Sequence, residues 1–475
     1  MISAEPASAV CDSPVPSRRA SRLLIAMFAL LALLYAWIIY MTSVGDIWWE
    51  LDVVNSFRMW GVDDSYRFYI IRDAFNHASY FSWSYTLPLQ LFVDGGLAVI
   101  LNDNIAVLRA IHGGIYLLSL FFLARSLLRL SPRWPLAWSA VLMLGLIPFC
   151  LFISISFYAE AYMMSFVVLM LVARINQRDN LLLVLAAISP LTRPEGIFFL
   201  GAVGLYFLVK KDLKRALLAG VPIGVFFVWM LSTSGWTQFF EWREHFGQVQ
   251  SVIREIVPEQ TNVHNVWKMF GGWLLLPVLL SLFNSKLRPL WPLLLATGLW
   301  FVYWTLNIIV GGGNYEARYF VPVVPVLVVM WALGLDWLYT LLSGYPGRRV
   351  AASGCALLFA ATLSFFVLQQ THIRFYLEQR FTEDPLPLAS LAQMPLRTTP
   401  ETVRSRQGLM RAIYHAVSED NPYQVDRLLF SSSFARLYYY MDPEKVSSNV
   451  MVGFAPTRSD DLIYKTPNRV FAMFG

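Results

Sequence analysis

LLLVLAAISPLTRPEGIFFLGAVGLYFLV, residues 181 to 209, is two apolar arms joined by a polar turn, with Arg174 and Arg178 before it and Lys210, Lys211, Lys214 and Arg215 after it. In membrane proteins Lys and Arg collect in short cytoplasmic loops, so cations at both ends make this segment cross an even number of times. Each arm has about 13 residues and, at about 1.5 Å per residue, reaches about 20 Å, short of a hydrocarbon core about 30 Å thick. The turn LTRPEG, where Pro190 and Pro194 break the helices, is therefore expected below the outer surface. Non-helical backbone at that depth is tolerated where it lines a protein cavity or water, which predicts a cavity open to the outside.

The rest of the chain agrees with that reading. Of 475 residues, 57% are hydrophobic and only 14% charged, far too apolar for one soluble globule of this size. Spans are expected near 22–43, 104–124, 135–155, 157–173, 180–192, 196–209, 216–233, 267–284, 289–310, 319–341 and 350–369, about eleven transmembrane helices. With the N-terminus inside, the inner segments carry Arg18, Arg19 and Arg22, then Arg125, Arg129 and Arg133, then Arg174 and Arg178, then the Lys210 cluster, then Lys286 and Arg288, then Arg348 and Arg349. The outer loops are longer yet hold fewer cations, mainly Arg58, Arg67, Arg72, Arg193, Arg243, Arg254 and Arg318. The expected fold is an all-α polytopic protein of the plasma (inner) membrane: a disordered cytoplasmic tail at 1–21, a transmembrane domain at 22–369, and an extracytoplasmic C-terminal region at 370–475. The inner-loop cations account for the net charge of +6, so nucleic acid need not be invoked. Cys11, Cys150 and Cys355 imply no disulfide framework, and no CxxC or Cys/His cluster suggests zinc.

Three outward regions are large enough to build something: 44–103, 234–266 and the C-terminal region. In the first, GVDDSYRFYIIRDAF (61–75) sets acids and cations in a pattern suited to helices lying along the interface. LPLQLFVDGGLAVI (87–100) is too short to span and reads as re-entrant or interfacial, with Asp94, Gly95 and Gly96 making a turn. His112 reads as a satisfied bundle histidine. In the C-terminal region, strand-like runs fall at 428–440 and 449–454, and a helix at 401–417.

Ionisable groups from distant stretches converge on the outer side: Asp63 and Asp64, Glu160, Arg193 and Glu195, and Glu316 with Arg318. A lipid-linked sugar phosphate keeps its tail in the bilayer, and its leaving phosphate gains negative charge that arginines answer bidentately. A carboxylate can deprotonate the attacking hydroxyl. Plainer readings stand beside this one. Asp63 and Arg67 can simply pair at i,i+4, Asp64 can be the base or favour a helix dipole, and Glu160 can pair structurally with Arg193. A divalent metal would need only the acids, though no cofactor is expected.

DDSYRFYIIRDAF resembles the DExRYAEIAREML-like segment after the first span of GT-C membrane glycosyltransferases, including aminoarabinose transferases and bacterial protein O-mannosyltransferases. LPLQLFVDGGLAVILNDNIAVLRAIHGG is similar to the run that follows there. SFYAEAYMMSFVVLMLVARI with LTRPEG resembles the YxES and LTRxxG arrangement of the GPI-mannosyltransferase-like branch, and EARYFVPVVPVLVVMWALGL resembles the family's late Arg-Tyr-x-x-Pro span. The resemblance covers residues 20 to 345. It implies transfer of a sugar from a polyprenyl-phosphate-linked donor to a lipid, glycan or protein hydroxyl on the extracytoplasmic face, with inversion. It makes Asp63 the base; Arg67, Arg193 and Arg318 are candidate phosphate ligands, and Glu160 and Glu195 organise the cavity. The family's Arg three residues after the acid is Tyr66 here, and Arg67 comes one position later. A polytopic transporter or lipid flippase, or a glycan polymerase or ligase, would use similar groups.

Overall fold

The computed structural model describes residues 18–43, 67–68, 70–72, 74–76, 81, 88–131, 134–232, 272–311, 317–343, 353–354, 357, 427–430, 451–454 and 470–473. Helix α1 (Arg18–Ser43) shows how the chain divides its surfaces. Leu24, Met27, Leu31, Tyr35 and Ile39 are buried at three- and four-residue spacing, while Leu23, Ile25, Leu30, Leu33 and Tyr40 stand exposed. A helix apolar all round, with one stripe on protein and the rest uncovered, belongs in a bilayer.

The other helices are α2 (Pro88–Ile100), α3 (Ile105–Leu130), α4 (Trp134–Leu146), α5 (Pro148–Ser154) and α6 (Ala159–Ile175). There follow α7 (Asp179–Ile188), α8 (Ile197–Val209), α9 (Leu213–Ser232), α10 (Gly272–Ser281), α11 (Trp291–Gly311) and α12 (Val324–Leu342). Among the described residues four helical stretches are long and apolar enough to cross a membrane: Arg22–Tyr40, Ile105–Leu130, Leu213–Ser232 and Tyr319–Leu342. The chain is thus a helical membrane protein. The expected span 135–155 is broken at Ile147, where Pro148 opens α5, since proline cannot supply the N–H an uninterrupted helix needs. Of the expected span 350–369 only residues 353–354 and 357 are described.

At the bundle's centre α3 packs on α6, α12 on α10 and α4, and α8 on α11. Gly334 of α12 lies so close to α10 that a Cβ there would sit 1.8 Å from the Pro277 carbonyl oxygen. The sequence marks α2 as a break at Asp94, but the helix runs through it. The chain turns later, at Asn102 and Asp103, which take φ of 51° and 57°. Asparagine and aspartate tolerate that left-handed conformation because their short side chains bond locally.

The helix ends that charge counting assigns to one side do meet. Asn176, capping α6, accepts from Arg129 at 2.6 Å and donates to Ser126 at 2.7 Å. Asp336 of α12 accepts from Ser131 and from Lys286, each at 2.8 Å. Asp179 accepts from Lys210 at 2.8 Å and from Tyr206 at 3.0 Å. Burial raises the Asp179 carboxyl, but the bonds from Lys210 and Tyr206 and the charges of Lys210 and Arg174 together outweigh it and hold it below its ordinary value.

Three strands in the C-terminal region, β1 (Arg427–Phe430), β2 (Met451–Phe454) and β3 (Val470–Met473), form a parallel sheet of order β2-β1-β3. β1 and β2 fall within or beside the expected strand runs, whereas VFAM of β3 carries no turn or alternation signal that marked it. The expected helix 401–417 lies outside the described residues.

Candidate functional site

Between α5 and α6 the chain leaves the helix for four residues, and four polar side chains from three other stretches of the chain gather on them. Serines set the break: Ser154 Oγ donates to Leu151 O and Ser156 Oγ to Ile153 O, both at 2.7 Å, bonds that compete with helix propagation. Phe157, fully buried, follows; its carbonyl accepts from Gln90 Nε2 of α2. Its ring lies 4.8 Å from Phe68, 5.7 Å from His112, and 5.6 Å from the Arg109 guanidinium. The Arg67 guanidinium stands 5.9 Å from the Tyr158 ring. Two buried arginines thus lie over aromatic faces at distances where the ring quadrupole attracts a cation.

Two helices later, after α6 and α7, comes the turn on which the ion cluster forms. The LTRPEG turn is buried within the bundle: Ser189, Thr192, Arg193, Glu195 and Gly196 are all enclosed. Its geometry follows from its residues. Arg193 is extended (φ −149°, ψ 138°), as the residue before Pro194 must be. Thr192 Oγ1 donates to Ser189 O at 2.6 Å, and Ser189 Oγ to Gly196 O at 3.0 Å, tying the two arms together. A Cβ on Gly196 would lie 2.4 Å from the Ser189 carbonyl, so only glycine closes the hairpin.

Arg193 then points its fork at Glu195, Nε at 3.0 Å from Oε2 and Nη2 at 2.7 Å from Oε1, while Nη1 pairs with Glu160 Oε1 at the first turn of α6. Tyr319 covers the guanidinium at 5.1 Å and is itself stacked on Trp304, ring centroids 4.3 Å apart. Of the two readings of Glu160, the pair with Arg193 is the one formed. Arg193, expected as a phosphate ligand, has its fork taken up by Glu195 and its remaining arm by Glu160. Its place is to hold two carboxylates, while Arg67 and Arg109, also buried, lie over the Tyr158 and Phe157 rings.

A third group was not expected. His112 Nε2 lies 2.8 Å from Asp94 Oδ1, which also accepts from Tyr162 Oη, and His112 Nδ1 lies 2.8 Å from Ser156 O. The histidine is satisfied, as expected, but Asp94 belongs to this group and not to a turn. The missed signal was in NIAVLRAIHGG: Arg109 and His112 are three residues apart within an apolar span, and ionisable residues at that depth face partners or function.

Asp63, Asp64 and Glu316 lie outside the described residues; Arg318 stands in the 3-10 helix Ala317–Val323, its side chain outside them. The structure therefore brings together Arg67, Glu160, Arg193 and Glu195 of the expected set and adds Gln90, Asp94, Arg109, His112, Tyr162 and Tyr319. Among the described residues no group of three or more His, Cys, Asp or Glu stands ready to hold a metal ion. No family model, curated protein or solved structure matches the chain.

Proposed function

We propose that this protein is a GT-C-type glycosyltransferase with eleven spans that moves a sugar from a polyprenyl-phosphate-linked donor to an acceptor hydroxyl on the extracytoplasmic face. Asp63 removes the hydroxyl proton as the oxygen attacks the anomeric carbon, and the phosphate leaves with the bonding electron pair. The observation that carries the reading is the gathering of Arg67, Arg109 and the Glu160–Arg193–Glu195 cluster around residues 154–160, inside an apolar bundle and at the opposite end from the Asp179, Lys210, Asn176 and Asp336 contacts. Buried arginines are costly in a bilayer and serve a purpose where an anion must be neutralised. Arg67, Arg109 and Arg318 are assigned to the phosphate. Arg193, Glu160 and Glu195 hold the α7–α8 turn that forms part of the wall.

Asp63→Asn should lower transfer from a polyprenyl-phosphate-linked sugar by about 10²–10⁴-fold, the usual contribution of a general base, with the protein still folded in membranes. Near-wild-type transfer would remove Asp63 from the mechanism. Flux of the lipid-linked sugar across proteoliposomes without any covalent product would favour a transporter. Mass spectrometry of envelope glycans and lipids, with and without the protein, names sugar and acceptor together.

A further inference from the structure

α7, α8 and α9 leave a layer of cations at the end of the bundle that charge counting assigns to the cytoplasm. Residues 174–180 and 206–215 hold six cations, Arg174, Arg178, Lys210, Lys211, Lys214 and Arg215, against two carboxylates, Asp179 and Asp212. Both carboxylates are taken. Asp179 binds Lys210 at 2.8 Å and lies 4.0 Å from Arg174, and Asp212 binds Arg215 at 2.9 Å. Arg178, Lys211 and Lys214 are exposed and have no ionic partner among the described residues. The Asp179–Lys210 bond sets Arg178 and Lys211, the chain neighbours of that pair, at one corner of the bundle.

Lys211 stands there against the preference of its backbone. It ends α8 with φ 60°, its N–H bonding to Leu208 O at 2.9 Å and the Asp212 N–H to Phe207 O at 2.8 Å, a helix ending whose usual left-handed residue is glycine or asparagine. A lysine eases that conformation in no way, so the exposed ammonium, and not the turn, is what it supplies at this position.

α9 continues from the same corner. Lys214, Leu217, Val221, Val225 and Val228 recur at three- and four-residue spacing and so share one face. All five are exposed, while Ala219, Phe226 and Met230 on the opposite face are buried. From Leu217 to Val228 the apolar stripe runs about 17 Å at about 1.5 Å per residue, close to half of a hydrocarbon core about 30 Å thick.

We propose that this corner binds an anionic glycerophospholipid, with its phosphate beside Arg178, Lys211 and Lys214 and an acyl chain along the α9 stripe. The occupant is anionic at one end, because three cations there lack a counter-charge, and hydrocarbon beyond it, because the face that follows is apolar for the depth of one leaflet. A zwitterionic lipid would bring its own cation into the cluster, and a soluble acidic peptide would leave the stripe uncovered. Such binding is independent of the transferase reading.

The test uses the full-length protein in phosphatidylcholine nanodiscs carrying a trace of one of two photoreactive lipids with the same diazirine-bearing acyl chain, phosphatidylglycerol or phosphatidylcholine. The phosphatidylglycerol probe should label residues 213–232 roughly tenfold more than the phosphatidylcholine probe, the preference that two or three cations near a membrane surface give. Lys211→Gln combined with Lys214→Gln should bring the ratio close to one. Arg125→Gln, which removes an exposed cation of α3, should leave it unchanged. Lys211→Gly removes the charge and the backbone strain together; it should melt no lower than the wild type and still lose much of the preference, which a lysine kept for stability would not do. Excess glycerol 3-phosphate should not compete, whereas unlabelled phosphatidylglycerol should. Equal labelling by the two lipids, a preference that survives the double glutamine variant or Lys211→Gly, or a preference abolished by glycerol 3-phosphate, which would make the corner a site for a free phosphate, overturns the proposal.

Discussion

Arg193 is held by three of its nitrogens against two carboxylates in a bundle whose other walls are tyrosine and tryptophan. Such a cluster stabilises less by its attraction than by what its loss would expose, because each buried charge depends on the others to replace its hydration. Arg193→Met should therefore cost about 3–5 kcal/mol in detergent unfolding, leaving Glu160 and Glu195 unpaired. Adding Glu160→Gln and Glu195→Gln to it should recover most of that loss. Were the single variant as stable as the wild type, the cluster would not be what fixes the turn. Asp94 teaches the same lesson from the other direction. Its neighbours Gly95 and Gly96 suggest a turn on propensity, yet bonds from His112 and Tyr162 on two other helices keep it in mid-helix.

Elements succeed or fail here at glycines where backbones touch. Gly196 closes the α7–α8 hairpin against the Ser189 carbonyl, and Gly334 brings α12 onto α10 at Pro277. Alanine at either should lower the unfolding temperature markedly, since the obstructing atoms are backbone and cannot swing away. Gly201→Ala, on α8 with nothing within 4 Å of the new methyl group, is the control. It should be neutral or stabilising by about 0.5–1 kcal/mol, because alanine loses less backbone freedom on forming a helix. A fluorescence-monitored melt of the three variants separates these outcomes. The hairpin's arms are short, α7 with 10 residues and α8 with 13, as the two apolar runs on either side of LTRPEG predict. What fills the turn is the ion cluster, packed under Tyr319.

For the whole molecule, charge pairs sort the helix ends into two layers, and cysteine labelling can assign each layer to a side of the membrane. Single cysteines at Gln177 and Lys211, both exposed turn residues with positive φ, should react from one side only, and a cysteine at Asn102 only from the other. In a cysteine-free background and sealed vesicles of known orientation, the first two should be cytoplasmic. Reaction of the cysteines at 177 and 211 from opposite faces would refute the even number of crossings. The amino-acid sequence by itself determined the class of the molecule, the positions of most helices, the short-armed hairpin at LTRPEG and the meeting of the cation-bearing helix ends. These follow from hydropathy, length and charge, which are local sums along the chain. Only the tertiary structure decided that Glu160, Arg193 and Glu195 form one cluster, that Arg67 and Arg109 lie over Tyr158 and Phe157, and that Asp94, His112 and Tyr162 form one hydrogen-bonded group. Those partners stand between two residues apart, as Arg193 and Glu195 do, and 91, as Arg67 and Tyr158 do. Which buried polar groups meet is set by how helices rotate and pack around close glycine and proline contacts, and no local pattern carries that information.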